Sequence, residues 1–326
     1  MQEPKVIRWG IIGLGKIAHK FAQDLATVED CQLYAVASRN QKKANKFKKK
    51  YKATIAYGSY EELINDKNVD AVYIATPHKL HKSNTIACLK AKKSVLCEKP
   101  LAMNHDEVQE MIDCARDNQT LLMEALWTYF LPHYKFVLKH LENETYGKLL
   151  KIEADFGFKP ELDMESRLFK KSLGGGSLLD IGIYPIFSAL STLGEPDDID
   201  ASATFLDNEV DTSCNMLFKY KNGATAHLKS TLIENTATEA IFHCENGTLK
   251  INSRFHEPST VTCIKDHEET VETFGYNTIG YSYEIDHFNQ LIRDQKTESN
   301  IMTFDFSEKL IKLLDRVRDK IGLSYP

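Results

Sequence analysis

Three side chains have the types that a carbonyl/alcohol redox site needs: a cation at Lys99, a carboxylate at Asp180 and a phenol at Tyr184. Lys99 stands in Cys97-Glu98-Lys99-Pro100-Leu101, just after a strand-like run. That puts Glu98 and Lys99 at the carboxyl edge of a sheet, where open α/β folds bind their ligands. Asp180 and Tyr184 are four apart in the run Gly174-Gly175-Gly176-Ser177-Leu178-Leu179-Asp180-Ile181-Gly182-Ile183-Tyr184-Pro185. A helix there would put both on one face, with Pro185 near its start. The glycine triplet is expected to let backbone approach a ligand closely, the alternative being a flexible loop.

A second pattern, Gly13-Leu14-Gly15-Lys16-Ile17-Ala18, follows the apolar run Arg8–Ile12 and opens a helical stretch. The first glycine permits a tight turn, the second lets backbone approach a pyrophosphate, and the small Ala18 lets helix and sheet sit close. Helix-terminal N–H groups favour the anion. Where NAD sites place a carboxylate on the ribose 2′-hydroxyl, this chain reads Ala37-Ser38-Arg39-Asn40, with Lys42 and Lys43 next. A hydroxyl and a guanidinium can hydrogen-bond a 2′-phosphate that an acid would repel, so NADP is expected ahead of NAD.

These residues need a frame. From Val6 to about Glu124, strand-like runs (6–12, 32–38, 70–75, 94–97, 121–124) alternate with helical patterns (16–25, 41–51, 59–65, 81–90, 104–118). Ser59 with Glu62 and Asn104 with Glu107 carry helix-start signals. Such alternation predicts a doubly wound parallel sheet covered on both faces. Beyond Glu124 come a helical stretch, a strand at 149–158, a helix to about Leu193 and seven strand-like runs between 199 and 274. Lys221-Asn222-Gly223 and Glu245-Asn246-Gly247 carry hairpin signals. Two helices close the chain, with Gly322 at a helix stop. The expected division is residues 1–124, a dinucleotide-binding domain, and 125–326, an α+β domain.

Composition excludes several classes. The chain has 326 residues, enough for about two domains. With 41 Lys+Arg against 46 Asp+Glu, it has no cationic excess to neutralise nucleic-acid phosphates. Six lysines between Lys42 and Lys50 read as a solvated helix face. Seven scattered cysteines without a C-x-x-C pair suit a reducing cytoplasm. The sequence shows neither a signal-peptide pattern nor about 18 uninterrupted apolar residues, so neither secretion nor membrane insertion is indicated. His78 and His81 lack the companions of a metal site, and no metal is expected.

Taken together, Arg8-Trp9-Gly10-Ile11-Ile12-Gly13, Ala75-Thr76-Pro77, Leu80-His81, Glu98-Lys99-Pro100 and Gly174 to Tyr184 resemble the glucose–fructose oxidoreductase, inositol dehydrogenase and rhizopine catabolism family, in order and nearly end to end. Glu124-Ala125-Leu126-Trp127-Thr128 and the tyrosine at 184 are most similar to its dihydrodiol dehydrogenase and NADP-dependent xylose dehydrogenase branch. The resemblance implies a Rossmann domain plus a C-terminal α+β domain with a large open, mainly antiparallel sheet. It also implies a homodimer or homotetramer built through that sheet. Cofactor roles carry over to Gly13, Leu14, Gly15, Lys16, Ile17, Ser38, Arg39, Lys43, Thr76, Pro77 and His81. Glu98 and Lys99 would lie beside the nicotinamide, and Arg167 would approach the cofactor.

The chemistry then assigns roles. Hydride passes between nicotinamide and a substrate carbon, while a proton enters or leaves the adjacent oxygen. A free phenol has a pKa of ~10, so Tyr184 serves as proton donor and acceptor only with a cation such as Lys99 to stabilise its phenolate. Asp180 would position Lys99 or bind a substrate hydroxyl. Trp127 and Phe156 are candidates for an apolar substrate wall, or else ordinary packing. The leading reading is an NAD(P)-dependent oxidoreductase of a sugar, polyol or dihydrodiol. The alternatives are a nucleotide-binding sensor without catalysis, and a glycosidase-type enzyme that holds NAD tightly.

Overall fold

Apolar runs buried on both faces make the first sheet. Its strands are β1 (Ile7–Ile12), β2 (Cys31–Ala37), β3 (Ile55–Tyr57), β4 (Ala71–Ile74), β5 (Ser94–Glu98) and β6 (Leu122–Ala125). They lie in the order β3-β2-β1-β4-β5-β6, every pairing parallel. The crossovers are helices: α1 (Lys16–Leu25), α2 (Gln41–Tyr51), α3 (Tyr60–Asn65), α4 (His81–Lys90) and α5 (His105–Asn118). Ser59 and Glu62 form a reciprocal capping box at α3, and Asn104 accepts the Glu107 N–H at 2.9 Å at α5. The sheet order reverses direction at β1/β4, so the carboxyl ends of these two strands flank the crevice where such sheets bind nucleotides. In this structure, a computed structural model describing residues 6–326, the expected strands and helices of this region all form. The short β3 was missed; three half-buried residues at the sheet edge leave little periodicity to read.

Helix α6 (Pro132–Glu142) precedes β7 (Leu149–Gly157), and α7 (Ile183–Leu193) follows it. Next come β8 (Asp198–Phe205), β9 (Asp211–Lys219), β10 (Thr225–Thr231), β11 (Ala240–Cys244), β12 (Gly247–Ile251), β13 (Val261–Lys265) and β14 (Glu268–Glu272). With β7 they form one eight-stranded sheet, β14-β13-β12-β11-β7-β10-β9-β8. Only β7 and β10 pair in parallel. Both Asn-Gly signals fall in the expected places, between the antiparallel pairs β9/β10 and β11/β12. One face of the sheet buries Ile152, Ala154, Ala226 and Leu228. The run 171–193, which includes α7, is long and apolar enough to cross a membrane, but its most apolar window is 94% buried within the fold.

The chain forms two compact units, and their division departs from the expected one. The first runs through Trp127 and takes in Asn277–Glu308; the second is Thr128–Tyr276 with Lys309–Pro326. The C-terminal segment joins the first unit through α8 (Tyr281–Arg293). The buried Trp9 Nε1–H donates to Asn289 Oδ1 at 3.0 Å. The Asp24 carboxylate accepts the backbone N–H groups of Ile279, Gly280 and Ser282 at 3.0, 2.8 and 3.2 Å, anchoring the start of α8. Helix α9 (Phe304–Ile321) begins in the first unit and ends in the second. A sequence boundary after residue 124 could not anticipate this return, because its contacts join residues far apart in the chain.

Candidate active site

In the first unit the glycine turn is fixed by crowding on one side and open on the other. Gly13 has φ +89°, and a Cβ there would lie 2.5 Å from the Ala75 carbonyl oxygen at the end of β4. No residue but glycine fits. Gly15 is the N-cap of α1, and a Cβ on it would meet nothing within 4 Å. No side chain caps α1, so its first N–H groups, from Lys16 and Ile17 onward, have no side-chain acceptor from the cap. Ala18 is fully buried against the sheet and Leu14 nearly so. A helix N-terminus with open space before it fits a pyrophosphate.

At the end of β2, Ser38 is largely buried, and its Oγ accepts the Asn40 N–H at 3.2 Å. Arg39 and Lys43 are exposed. Asn40 caps α2 by accepting the Lys43 N–H at 3.1 Å, and the first turn of α2 has no acid. The first turn of α2 thus puts no carboxylate beside Arg39 to repel a 2′-phosphate.

Thr76 and Pro77 follow β4, with the Thr76 hydroxyl accepting from Asn84 Nδ2 at 3.3 Å. His81, expected at the cofactor, is fully buried. Its Nδ1 lies 2.9 Å from the Pro100 carbonyl and its Nε2 2.9 Å from the Thr76 carbonyl. Since a neutral imidazole has one N–H, it donates to one of these two carbonyl oxygens, and the ring lies between the Thr76 loop and the Lys99–Pro100 segment. The Glu98 carboxylate accepts the hydroxyl of the buried Tyr73 and, at 3.3 Å, the Lys99 N–H. Burial, and after it the Glu98 charge, raises Tyr73 well above the ordinary phenol range, so it stays a donor. Trp127 is buried and stacks on Tyr281 with ring centroids 4.3 Å apart, a packing contact.

In the second unit the glycine triplet has a different task from the one expected. A Cβ on Gly175 would press on the Arg167 and Leu168 carbonyl oxygens at 2.7 and 2.8 Å, and one on Gly176, at φ +126°, would collide with Asp211. The close approach is therefore to the chain's own backbone and to a buried carboxylate. Asp211 is fully buried. Its Oδ2 accepts the Ser177 hydroxyl at 2.8 Å and the Leu178 N–H at 2.7 Å. The Tyr325 hydroxyl donates to the Gly175 carbonyl at 2.9 Å. These bonds anchor a π-turn, Leu178–Gly182, that runs into α7 and carries Asp180. Pro185 is the third residue of α7, just past the junction with the π-turn.

Asp180 and Tyr184 are both buried, at 6% exposure each. Asp180 Oδ1 accepts from Arg167 Nη2 at 2.9 Å. The pair was not foreseen: Arg167 was expected at the cofactor and Asp180 at Lys99 or a substrate hydroxyl. Tyr184 sits among aromatic rings, with Phe156 at 5.7 Å and His256 at 5.0 Å between centroids, and Phe156 stacks on His256 at 4.1 Å. His256, 5% exposed, is a neighbour of Tyr184 that the sequence did not single out; it lies in the loop between β12 and β13, where no pattern marks it.

Comparisons with known proteins identify the family. Residues 7–126 match the oxidoreductase family with an NAD-binding Rossmann fold (GFO/IDH/MocA), and residues 134–250 match the GFO/IDH/MocA C-terminal domain. The chain belongs to this family and is an NAD(P)-dependent oxidoreductase, moving a hydride between nicotinamide and a hydroxyl or carbonyl carbon. It is 34% identical to the trans-1,2-dihydrobenzene-1,2-diol dehydrogenase of Xenopus tropicalis, over 98% of this chain and 99% of that one. It is also 34% identical to the scyllo-inositol 2-dehydrogenase (NADP(+)) IolU of Bacillus subtilis, with the same coverage. Among solved structures, the 3-ketoreductase KijD10 of Actinomadura kijaniata, in complex with NADP and TDP-benzene, superposes with a TM-score of 0.87 at 27% identity, covering 97% of this chain and 98% of that one.

Proposed function

We propose that this oxidoreductase prefers NADP and acts on a hydroxylated ring: a sugar, a cyclic polyol or a dihydrodiol. The observation that carries the reading is the surroundings of Tyr184, where the aromatic faces of Phe156 and His256 adjoin the helical segment bearing Asp180, itself paired with Arg167. A carbocycle or pyranose offers an apolar face to aromatic rings and hydroxyls to paired charges. The cofactor preference rests on Ser38, Arg39 and Lys43, and is supported by the NADP named for IolU and for KijD10.

When bound, the nicotinamide supplies the hydride for reduction or takes it up in oxidation. Tyr184 Oη gives its proton to the substrate oxygen as that oxygen gains negative charge, and takes it back in the reverse direction. Lys99 Nζ stabilises the charged oxygen and the phenolate left behind. Glu98, held by Tyr73, orients the Lys99 backbone. Asp180, oriented by Arg167, accepts hydrogen bonds from substrate hydroxyls next to the reacting carbon. Gly13, Gly15 and the start of α1 hold the pyrophosphate, with Thr76 and Pro77 beside it.

The protein works in the cytoplasm, as seven free thiols suit a reducing compartment, and assembles as a homodimer or homotetramer through its eight-stranded sheet. The reaction is tested by following reduced-nicotinamide absorbance with a panel of inositols, aldoses and dihydrodiols. Turnover of at least one class, faster with NADP than with NAD, is expected. Tight cofactor binding without turnover of any of them would contradict the reading.

A further inference from the structure

Glu124, the third residue of β6, lies directly opposite Cys97 of β5, one residue from the turn that carries Lys99, and the proton transfer above gives it no task. Its side chain is 3% exposed. Oε1 accepts the Leu101 N–H at 2.8 Å, a buried bond to the residue two beyond Lys99. Oε2 is buried with no hydrogen bond of good geometry among the described residues, although the Ser307 hydroxyl lies nearby. A buried carboxyl half-satisfied in this way is costly to keep unless the structure uses it.

The turn is otherwise fixed at the Glu98 side chain, by Tyr73 and the Lys99 N–H, and at the Pro100 carbonyl, by His81. The Glu124 bond to Leu101 is the only one of these restraints that sets the far side of Lys99 with a carboxyl. We propose that Glu124 is a positioning residue for Lys99, holding the Lys99–Leu101 turn through the Leu101 amide and strengthening that hold when ionised. The proposal rests on the reading of Lys99 given above.

Ionisation strengthens the hold in two ways. A carboxylate makes a charge-assisted bond to the Leu101 N–H where the acid makes a neutral one, and it attracts the Lys99 ammonium. The groups facing it are Glu98 and Lys99 on the turn, Cys97 on β5 and Ser307 on α9. Burial pushes the carboxyl up to about 7, with Glu98 adding to the rise, against the opposing pulls of Ser307, the Leu101 amide and Lys99. The grip on Lys99 therefore changes within the working pH range.

The test is the pH profile of kcat and KM for wild type, E124Q, S307A and K99A, with NADPH affinity followed by fluorescence. In the wild type kcat is expected to fall on the acid side of about 7. E124Q, locked neutral, is expected to lack this limb and to run about tenfold below the wild-type plateau, with KM and NADPH affinity little changed. S307A keeps the carboxyl and its Leu101 bond, and should shift the limb to higher pH. E124Q with the wild-type plateau and limb, or should it fail to fold, S307A with an unmoved limb, overturns the proposal while leaving Lys99 in place if K99A is inactive. An active K99A overturns both the proposal and the reading beneath it.

Discussion

A phenol is a useful acid at neutral pH only when something stabilises its conjugate base, and for this reason the account couples Tyr184 to Lys99. Tyr184 itself has a dry aromatic setting, and its helix turn carries an ion pair rather than a bare acid. What the sequence offers as a candidate site lies in short local patterns: the glycine turn, Ser38-Arg39, Glu98-Lys99, and Asp180 with Tyr184. His256, the Arg167–Asp180 pair and the inward commitment of His81 were not legible, since each depends on residues that meet only through tertiary packing. Arg39, exposed at the end of β2 beside an acid-free helix start, tests the cofactor reading at the level of one side chain. Replacing it with alanine removes a charge-assisted contact of about 1.5–3 kcal/mol, so NADPH should bind at least tenfold more weakly while NADH changes little. Equal weakening of both in a fluorescence titration would mean that Arg39 does not read the 2′-phosphate.

The elements were legible where the hydrophobic period is regular, as through β1–α1, β2–α2, β4–α4 and β5–α5, with cap residues adding to the signal at α3 and α5. They were not where geometry departs from a regular period. The π-turn before α7 is one such place, because its shape comes from the triplet packed on the 167–168 backbone and from Asp211, 31 residues beyond Asp180. Asp211 also gives a pH-dependent prediction. Burial raises its carboxyl from the ordinary 3.8 to about 6. Between these values the folded protein keeps a proton that the unfolded chain has released, so the stability owed to this group falls as pH rises through the window. Above it the full cost, about 3 kcal/mol, is present. Asp211→Asn carries no such cost. The melting temperature of the variant relative to wild type should therefore be highest above pH 6 and decline toward pH 4; a difference independent of pH would refute the assignment.

For the whole molecule, two sheets of opposite character divide the labour. The parallel sheet offers the uncapped start of α1 and the Lys99 turn, and the larger sheet backs the helix turn that bears Asp180 and Tyr184. The outer face of that larger sheet has a groove lined by cross-strand neighbours including Glu153, Leu217, His227 and Ile241, a mixed apolar and charged surface suited to a second copy of the chain. Light scattering should give a dimeric or tetrameric mass that Leu217→Arg reduces, and a monomeric wild type would contradict assembly through this face. The parallel sheet followed from strand–helix alternation and the second domain from hairpin signals and the family resemblance, whereas the return of Asn277–Glu308 to the first unit did not, because Trp9–Asn289 and the Asp24 anchor exist only once the chain has folded. The central claim, that Lys99 and Tyr184 carry the proton transfer, is tested most directly by turnover of Tyr184→Phe and Lys99→Ala on whichever panel compound the wild type uses, with NADPH affinity measured on the same samples. The account predicts kcat lowered by about 10²–10⁴ in each variant with NADPH bound nearly as in the wild type. Turnover within a few-fold of wild type in either variant would contradict it.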